Sequence, residues 1–405
     1  MKGISIFFTL YWIIYFPTCI AYNDLPGFSS VDEMMTIVLF LFTLLMCRKR
    51  YINRKPRKEF IVCLGVIAFY FVYSLIWGVN VLGGILLDLM QEVRPYTIIF
   101  CTWILNPQFS KKQKKWMLAT MVLTLVSWII YHPDSFENRN AEFPVLGQLA
   151  ICTGLSWYLL TKQTKRNRNI ALLLVLTGML APKFKFMGEV VCFIAFIYFL
   201  KKRLNFRSPK TILYCTVIAT IVLTVTWTRF DAYYVSGLNN EYLARPMTYK
   251  TSLKILYDYL PFGPGMGTFA CNGAWKFYSP LYYKYNLNDI WGLDEAGGFI
   301  CDSYYPTLAQ FGIVGVFFFL WFWKRRFKEI NVIQDMRYYR VAMITVCCIA
   351  IEQTADSSWL SGKGMGYCML LALCLNANRN MMIERQRQMA ATPSEQAENT
   401  KRLES

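Results

Sequence analysis

The sequence predicts an all-α integral membrane protein, and three observations support this fold class. Of the 405 residues, 55% are hydrophobic and only 17% are charged, whereas soluble domains carry roughly 25% charged residues. The apolar residues form long blocks, and the basic residues behind the formal charge of +18 lie in short clusters between those blocks. Aromatic residues make up 17% of the chain, which excludes a disordered protein. This pattern excludes a single soluble enzyme and argues against nucleic acid as a partner, since nucleic-acid-binding proteins gather basic residues on one face.

Twelve apolar segments are candidates to cross a bilayer as helices. A hydrocarbon core of about 30 Å needs roughly 20 apolar residues in helical form. The fourth, seventh and eighth segments are short or interrupted, so ten or eleven crossings are the alternative. The segments are centred on residues 4–21, 33–47, 60–78, 95–106, 116–132, 145–161, 169–182, 186–200, 210–228, 304–323, 340–355 and 360–376.

The basic clusters predict the orientation of these spans. Lys and Arg accumulate in the cytoplasmic loops of membrane proteins. With a cytoplasmic N-terminus and alternating crossings, every basic cluster falls on the cytoplasmic side, so both termini are predicted to be cytoplasmic. The first span carries only Lys2 nearby and has no small-residue cleavage site, so we expect a retained helix. The clusters occupy residues 48–58, 111–115, 162–168, 201–210, 324–340 and the tail from 379.

The chain divides into four regions. Residues 1–228 hold nine spans with short loops, 229–303 form one large outer loop, 304–376 hold three spans, and 377–405 form a cytoplasmic tail predicted to be disordered. Loops longer than about 15 residues are usually functional or disordered. The outer loop is too rich in Tyr, Trp and Phe for disorder. It is predicted to contain a helix over residues 246–259 followed by a glycine-rich turn, so function is expected on the outer face.

No metal or cofactor site is predicted. His132 is the only histidine, which excludes a site built from several histidines. The 13 cysteines are scattered without the spacing of metal ligands. Any chemistry must therefore use carboxylates, Arg, Lys and Tyr.

Several cations are candidates for binding an anion at the outer face. Lys183 and Lys185 flank Phe184 beside Pro182, between two spans with hardly any loop. Irregular backbone at membrane depth is tolerated where it lines a cavity, so this stretch predicts a cationic pocket. The alternative is a pair of lysines that extend to the membrane surface. Two further arginines are candidates: Arg94, at the outer start of a span, with an interfacial anchor as the alternative, and Arg139, in an outer loop, with an ordinary solvated charge as the alternative.

Arg245 opens the predicted outer-loop helix and suits phosphate, because its planar fork binds two oxygens at once. The helix is followed by Pro261-Phe-Gly-Pro-Gly-Met-Gly-Thr-Phe269. Gly263, Gly265 and Gly267 allow left-handed backbone. Successive N–H groups in such a turn can form an anion-binding nest, and a structural turn without a ligand is the alternative. Asp302, at the outer start of the tenth span, is either a catalytic base or a helix cap.

These residues, in this order, resemble the O-antigen polymerase and O-antigen ligase superfamily of bacterial inner membranes. The order is an isolated Arg, a helix, the glycine motif, an aromatic stretch, and then Asp302-Ser-Tyr-Tyr-Pro306 before the Phe311-Gly-Ile-Val-Gly315 span. The motif-level match covers about residues 178–188 and 245–315. The resemblance implies a GT-C-like fold and a metal-independent, cofactor-free glycosyltransferase. Such an enzyme moves a glycan from an undecaprenyl-pyrophosphate carrier to an acceptor at the periplasmic face.

The resemblance also implies roles for individual residues. Arg245 matches the loop arginine that engages pyrophosphate, and Lys183 and Lys185 match a basic pair before a glycine, here Gly188. Preorganised cations of this kind stabilise a pyrophosphate leaving group, a role extended to Arg94 and Arg139. Asp302 is the first candidate for the general base that deprotonates the acceptor hydroxyl, with Glu295 and Glu142 next. The following aromatic residues either stack on sugar rings or form an interfacial belt: Trp275, Tyr278, Tyr282, Tyr283 and Trp291.

The resemblance favours a polymerase over its alternatives. Ligases of this superfamily carry His-Asn or His-Ser/Gln where this chain has Asp302-Ser303. A lipid-linked sugar flippase or transporter is the further alternative, but transporters commonly show two similar halves and the glycine motif has no second copy in the N-terminal half. The expected partners are the carrier-linked oligosaccharide and the lipid bilayer, with a chain-length regulator and a flippase as further candidates.

Overall fold

The computed structural model describes residues 2–24, 30–47, 53–131, 144–180 and 183–383. Within these ranges the chain is helical and contains no β-strand. Residues 377–383, which were assigned to the tail, are helical, and the rest of the tail lies outside the described residues. The α-helices in the described ranges are α1 (Lys2–Asp24), α2 (Val31–Met46), α3 (Arg54–Trp77), α4 (Leu82–Leu105), α5 (Lys111–Tyr131), α6 (Pro144–Leu160), α7 (Lys165–Leu176), α8 (Phe184–Ile194), α9 (Pro209–Phe230), α10 (Ala244–Asp258), α11 (Asn272–Lys276), α12 (Pro280–Lys284), α13 (Gly312–Asn331), α14 (Met336–Glu352) and α15 (Met365–Leu375).

Four helical segments in the described part of the chain are long and apolar enough to cross a membrane. The described part of the chain is therefore all-helical, and these four segments indicate a membrane-embedded protein. Each of the twelve predicted spans contains a helix, but length and composition support crossing for these four, and the count of twelve remains a prediction. The four segments are Lys2–Ile20, Arg54–Trp77, Pro209–Val235 and Tyr305–Asn331.

Helix α4 differs from its prediction. The sequence pattern predicts a span near residues 95–106, with its outer boundary at Pro95 and the charges before it. The helix instead begins at Leu82 and continues through Pro95 to Leu105. Arg94 consequently lies in the middle of a buried helix. The predicted position of Arg94 at the outer start of a span is wrong.

Helices α4 and α15 form the centre of the bundle, whereas α9 lies at its edge. Every residue of α15 from Met365 to Cys374 is buried, and its C-terminal residue, Leu375, is partly exposed. No residue of α9 is buried within the protein, and its Ile212, Leu213 and Trp227 side chains are exposed. Large exposed apolar surfaces of this kind are expected where lipid covers the protein.

One end of the bundle collects the basic connections between helices. Lys55 at the start of α3 lies 2.6 Å from Glu329 near the end of α13. Arg340 near the start of α14 donates to the carbonyl oxygen of Leu200, beyond α8, and to the hydroxyl of Tyr158 near the end of α6. The basic connections after α8 and between α13 and α14 therefore meet at one end of the bundle.

The outer loop folds at the opposite end as a compact unit with its own apolar core. Ile255 of α10, Phe269, Leu281, Leu287 and Ile300 are buried together in this core. The helix predicted over residues 246–259 is α10, two residues earlier at its start. The loop is thus an ordered platform that presents the start of α10 to the bundle.

The glycine-rich turn attaches this platform to α4. Gly263, Gly265 and Gly267 have φ values of 80°, 99° and 73°, which confirms the predicted left-handed backbone. A Cβ added at Gly267 would lie 2.6 Å from the backbone of Gly84 in α4. Glycine is required here both for its positive φ and for the close approach of two backbones.

Replacing Gly267 with alanine is expected to destabilise the protein by at least about 2 kcal/mol, since left-handed backbone at a non-glycine residue alone costs about 1–3 kcal/mol. Gly298→Ala in the same loop is the matched control, because a Cβ at Gly298 meets nothing within 4 Å. Thermal unfolding of the two variants purified in detergent measures the difference. Equal melting temperatures would show that the close packing on α4 contributes little.

Candidate active site

Charged side chains from separate stretches of the chain meet at the end of the bundle that carries the outer platform. They come from the first turns of α8 and α10, from the segment before the 3₁₀ turn Tyr305–Phe311, and from the end of α14 and its connection to α15. We call this set the charge network; it consists of Lys185, Arg245, Asp302, Glu352, Asp356 and Lys363.

Arg245 and Asp302 form the outer part of the network. The Arg245 Nε donates to Asp302 Oδ2 at 2.6 Å, and its Nη2 contacts the same oxygen. The guanidinium also lies over the ring of Tyr233, 4.3 Å from the ring centre. Burial raises the pKa of Asp302 above its usual value, and the charge of Arg245 offsets only part of that rise. The side chains keep 15% and 21% of their surface, so a solute can reach the pair.

Lys185 forms the inner part of the network. Its Nζ lies 2.6 Å from Glu352 Oε2 and 2.7 Å from Asp356 Oδ2, and the side chain is only 12% exposed. Lys363 Nζ lies 4.0 Å from the same Asp356 oxygen. Burial alone would raise the pKa of Asp356, but Lys185 and then Lys363 lower it below its usual value.

The inner and outer parts act on each other electrostatically. The charge of Arg245 contributes to lowering the pKa of Asp356, and the charges of Asp356 and Lys185 act on Asp302. Lys185 and Arg245, two of the five cations predicted to bind pyrophosphate, therefore act on the same two carboxylates, Asp302 and Asp356, although 60 positions separate them in the sequence.

The network is balanced in charge and not a purely cationic pocket. Its three basic residues face three carboxylates, and a fourth, the fully buried Glu189, lies close to Glu352. The sequence analysis missed Glu189, Glu352 and Asp356. The signal was present, because Glu189 and Glu352 are acidic residues within otherwise apolar predicted spans, where ionisable groups are expensive and usually functional.

Lys183 lies at the start of α8, next to this network. It immediately precedes the helix, and the charges of Lys185 and Arg229 add to partial burial in lowering its pKa.

The surroundings of Arg94 do not suit its predicted role as an anion ligand. Its guanidinium is 1% exposed and lies 2.8 Å from Asp32 and 2.5 Å from Glu33, both in α2. It also donates to the carbonyl oxygen of Leu360. The side chain thus ties α2 and the connection before α15 to α4, and an anion could reach it only by displacing these partners. A packing role fits Arg94 better than the predicted role as an anion ligand.

The predicted anion nest is wrong, because protein acceptors already occupy the N–H groups of the glycine turn. Gly265 donates to the carbonyl oxygen of Gln310 at 3.0 Å, and Gly267 donates to Asp88 Oδ2 at 2.9 Å. Gly263 donates to the carbonyl oxygen of Tyr259 at 2.8 Å. The turn is a structural joint, which was the alternative interpretation of the motif.

The five candidate sugar-stacking residues differ in exposure. Tyr282 cannot stack on a sugar, since it is fully buried in the platform core, where its hydroxyl accepts from the N–H of Ala270. Tyr278 is partly buried and donates to the carbonyl oxygen of Leu293. Trp275, Tyr283 and Trp291 are exposed and remain candidates.

The secondary candidates for the base lie outside the network. Glu295 is exposed on the platform and accepts a hydrogen bond from Tyr283. Arg139 and Glu142 lie outside the described residues, as does His132. Asp302 is consequently the predicted base that the structure places beside predicted cations.

An aromatic-lined groove lies between α3 and α13. Tyr304, two residues after Asp302, forms part of its wall and donates to the carboxylate of Glu92. Phe69 of α3 and Phe317 of α13 are exposed apolar side chains on the two helices that form the groove. The groove has about 60 Å³ of free volume, less than the roughly 150 Å³ that accommodates benzene, so a larger apolar ligand must spread the helices. Its remaining walls include Val66, Tyr70, Tyr96, Phe318 and Phe322.

Comparison with known proteins does not assign the chain. No protein-family model matches it, and no curated protein matches it significantly. The described residues define a class: a helical protein with several helices long and apolar enough to span a membrane, a charge network at one end of the bundle and an aromatic-lined groove between two helices.

Proposed function

We propose that this protein polymerises undecaprenyl-pyrophosphate-linked oligosaccharide repeat units into O-antigen or another long polysaccharide, at the periplasmic face of the bacterial inner membrane. The observation that carries the proposal is the junction at residues 301–305. In this segment Asp302 faces Arg245, while Tyr304 forms a wall of the apolar groove. A lipid diphosphate needs cations for its headgroup and an apolar path for its chain, and this segment joins the charge network to a wall of the groove.

The proposed reaction is a displacement at the anomeric carbon of the donor sugar. Arg245, Lys185 and Lys183 would stabilise the charge that develops on the pyrophosphate leaving group, the kind of preorganised electrostatics that usually contributes most to catalysis. Asp302 would accept the proton of the acceptor hydroxyl. The prenyl chain would enter between α3 and α13, and its insertion would widen the groove.

One observation favours the alternative of a transporter for lipid-linked sugars. Buried carboxylates paired with a lysine at membrane depth also occur in proton relays of transporters, and Glu189, Glu352 and Lys185 have this character. The ligase alternative has no separate structural support beyond the superfamily resemblance.

The proposal is tested with purified protein in detergent and a purified carrier-linked repeat unit, without added metal. A polymerase forms products of increasing length because the reaction needs no ion gradient. A transporter forms no product in detergent and instead moves the lipid-linked sugar across proteoliposomes. A ligase requires lipid A–core as acceptor, and its loss in cells leaves bare core, whereas loss of a polymerase leaves single repeat units on core.

A further inference from the structure

Asp302 forms an ion pair with Arg245, the cation that is proposed to bind the donor's diphosphate. Two nitrogen atoms of the Arg245 guanidinium contact a single oxygen, Asp302 Oδ2, and the ring of Tyr233 covers the guanidinium. A diphosphate that binds the Nε–Nη2 edge of Arg245 through two oxygens must therefore displace the carboxylate.

We propose that the donor's diphosphate takes Arg245 from Asp302, and that this exchange turns Asp302 into the working base. The inference rests on the proposed function and deepens it, because it assigns Arg245 a second task. With no donor bound, the charge of Arg245 offsets part of the rise in the Asp302 pKa that burial causes. With donor bound, the same guanidinium holds the leaving group, and the released carboxylate gains affinity for a proton. The base then acts only when there is a donor to attack.

The step balances with these groups alone. The acceptor hydroxyl oxygen forms a bond to the anomeric carbon, and its proton moves to the Asp302 carboxylate. The bond between the anomeric carbon and the phosphate oxygen breaks, and its electron pair leaves with the diphosphate on Arg245. No metal or redox partner takes part in this sequence.

The surroundings of Asp302 favour a large change in basicity when Arg245 is withdrawn. An opposite charge at this distance typically lowers a carboxyl pKa by about 1–3 units, and removing it allows burial to dominate. The remaining carboxylate, Asp356, disfavours a second negative charge, and Lys185 partly compensates. The titratable or charged groups that interact with the Arg245–Asp302 pair are Lys185, Tyr233, Tyr234, Tyr249, Cys301 and Asp356.

Proton linkage makes the exchange measurable. A group whose pKa is higher with ligand bound takes up a proton on binding, so affinity falls as pH rises through the interval between the two pKa values. The probe is geranyl diphosphate, which keeps the headgroup and a short prenyl chain. Its affinity for the full-length protein in detergent is measured by calorimetry between about pH 5.5 and 8, in buffers of different ionisation heat.

The wild type is expected to lose affinity with rising pH more steeply than Asp302→Asn, by up to about tenfold per pH unit. Asp302→Asn should also bind at least about tenfold more tightly at high pH, because no carboxylate competes for Arg245. Asp258→Asn, at the exposed end of α10, is the matched control and should keep the wild-type slope. Its carboxylate accepts from Tyr285, outside the charge network.

The possible results separate the two proposals. Binding with the same pH slope in wild type and Asp302→Asn would overturn the exchange and leave the proposed function standing. No binding of geranyl diphosphate to the wild type would overturn the donor site, and the exchange with it. If Asp302→Asn does not fold, the number of protons that the wild type takes up on binding is measured instead. The exchange predicts more protons than the titration of the ligand itself supplies. Equal numbers would overturn the exchange.

Discussion

Replacing Arg245 with alanine is expected to stop the formation of long polysaccharide chains while the protein remains in the membrane at its normal level. Arg245 is the cation that contacts the candidate base and is reachable from outside, with 15% of its side chain exposed. Removing one preorganised donor to a developing anion typically slows a reaction by about a hundredfold or more. Gel analysis of chain length in cells and the polymerisation rate of purified protein both measure the effect.

The matched control is Lys250→Ala, five residues further along α10. Lys250 lies 3.7 Å from Glu241 in an exposed pair, and surface pairs of this kind contribute little. It should leave chain length unchanged. Arg245→Lys keeps the charge but loses the planar fork. Its chain length and polymerisation rate should therefore lie between those of the wild type and Arg245→Ala. Full-length polymer from Arg245→Ala would remove Arg245 from the proposed site.

Replacing Lys185 with methionine is expected to cause the largest loss of stability in the charge network. Removing the lysine leaves Glu352 and Asp356 buried without their main cation, and breaking a buried ion pair by removing one partner costs about 3–5 kcal/mol. The change should also abolish polymerisation. The melting temperature of the purified variant measures the first effect, and the in vitro rate measures the second.

A triple variant separates the structural and catalytic roles of Lys185. Lys185→Met combined with Glu352→Gln and Asp356→Asn removes the lysine and both carboxylates that contact it. Replacing a whole buried ionic group with neutral residues is often close to neutral for stability. The triple variant should recover most of the lost melting temperature and remain inactive. Recovery of activity together with stability would show that Lys185 only holds the fold.

Helical segments were easy to predict from the sequence, and their exact extents were not. Long apolar blocks and basic clusters mark the positions of helices because a bilayer requires both features. Pro95 misled the prediction of α4, since proline usually marks a boundary but buried helices tolerate it when neighbouring helices pack around it. Whether each of the twelve segments crosses the membrane depends on packing that hydropathy alone does not describe.

The sequence identifies the cations of the candidate site, but it does not identify the carboxylates that pair with them. Arg245, Lys183, Lys185 and Asp302 stood out as isolated charges near apolar spans. Pairing is a tertiary property, so the carboxylates facing Lys185 were not anticipated, nor was the pairing of Arg94 with Asp32 and Glu33. The glycine motif predicted its backbone correctly, but the acceptors of its three glycine N–H groups lie at the end of α10, in the segment before α13 and in α4.

The most direct test of the account is a cryo-electron microscopy structure of the full-length protein with a bound polyprenyl diphosphate. The account predicts phosphate density between Arg245 and Lys185, with Asp302 turned away from the guanidinium and the prenyl chain lying between α3 and α13. Headgroup density elsewhere, with the Arg245–Asp302 pair intact and the groove beside Tyr304 closed, would contradict it.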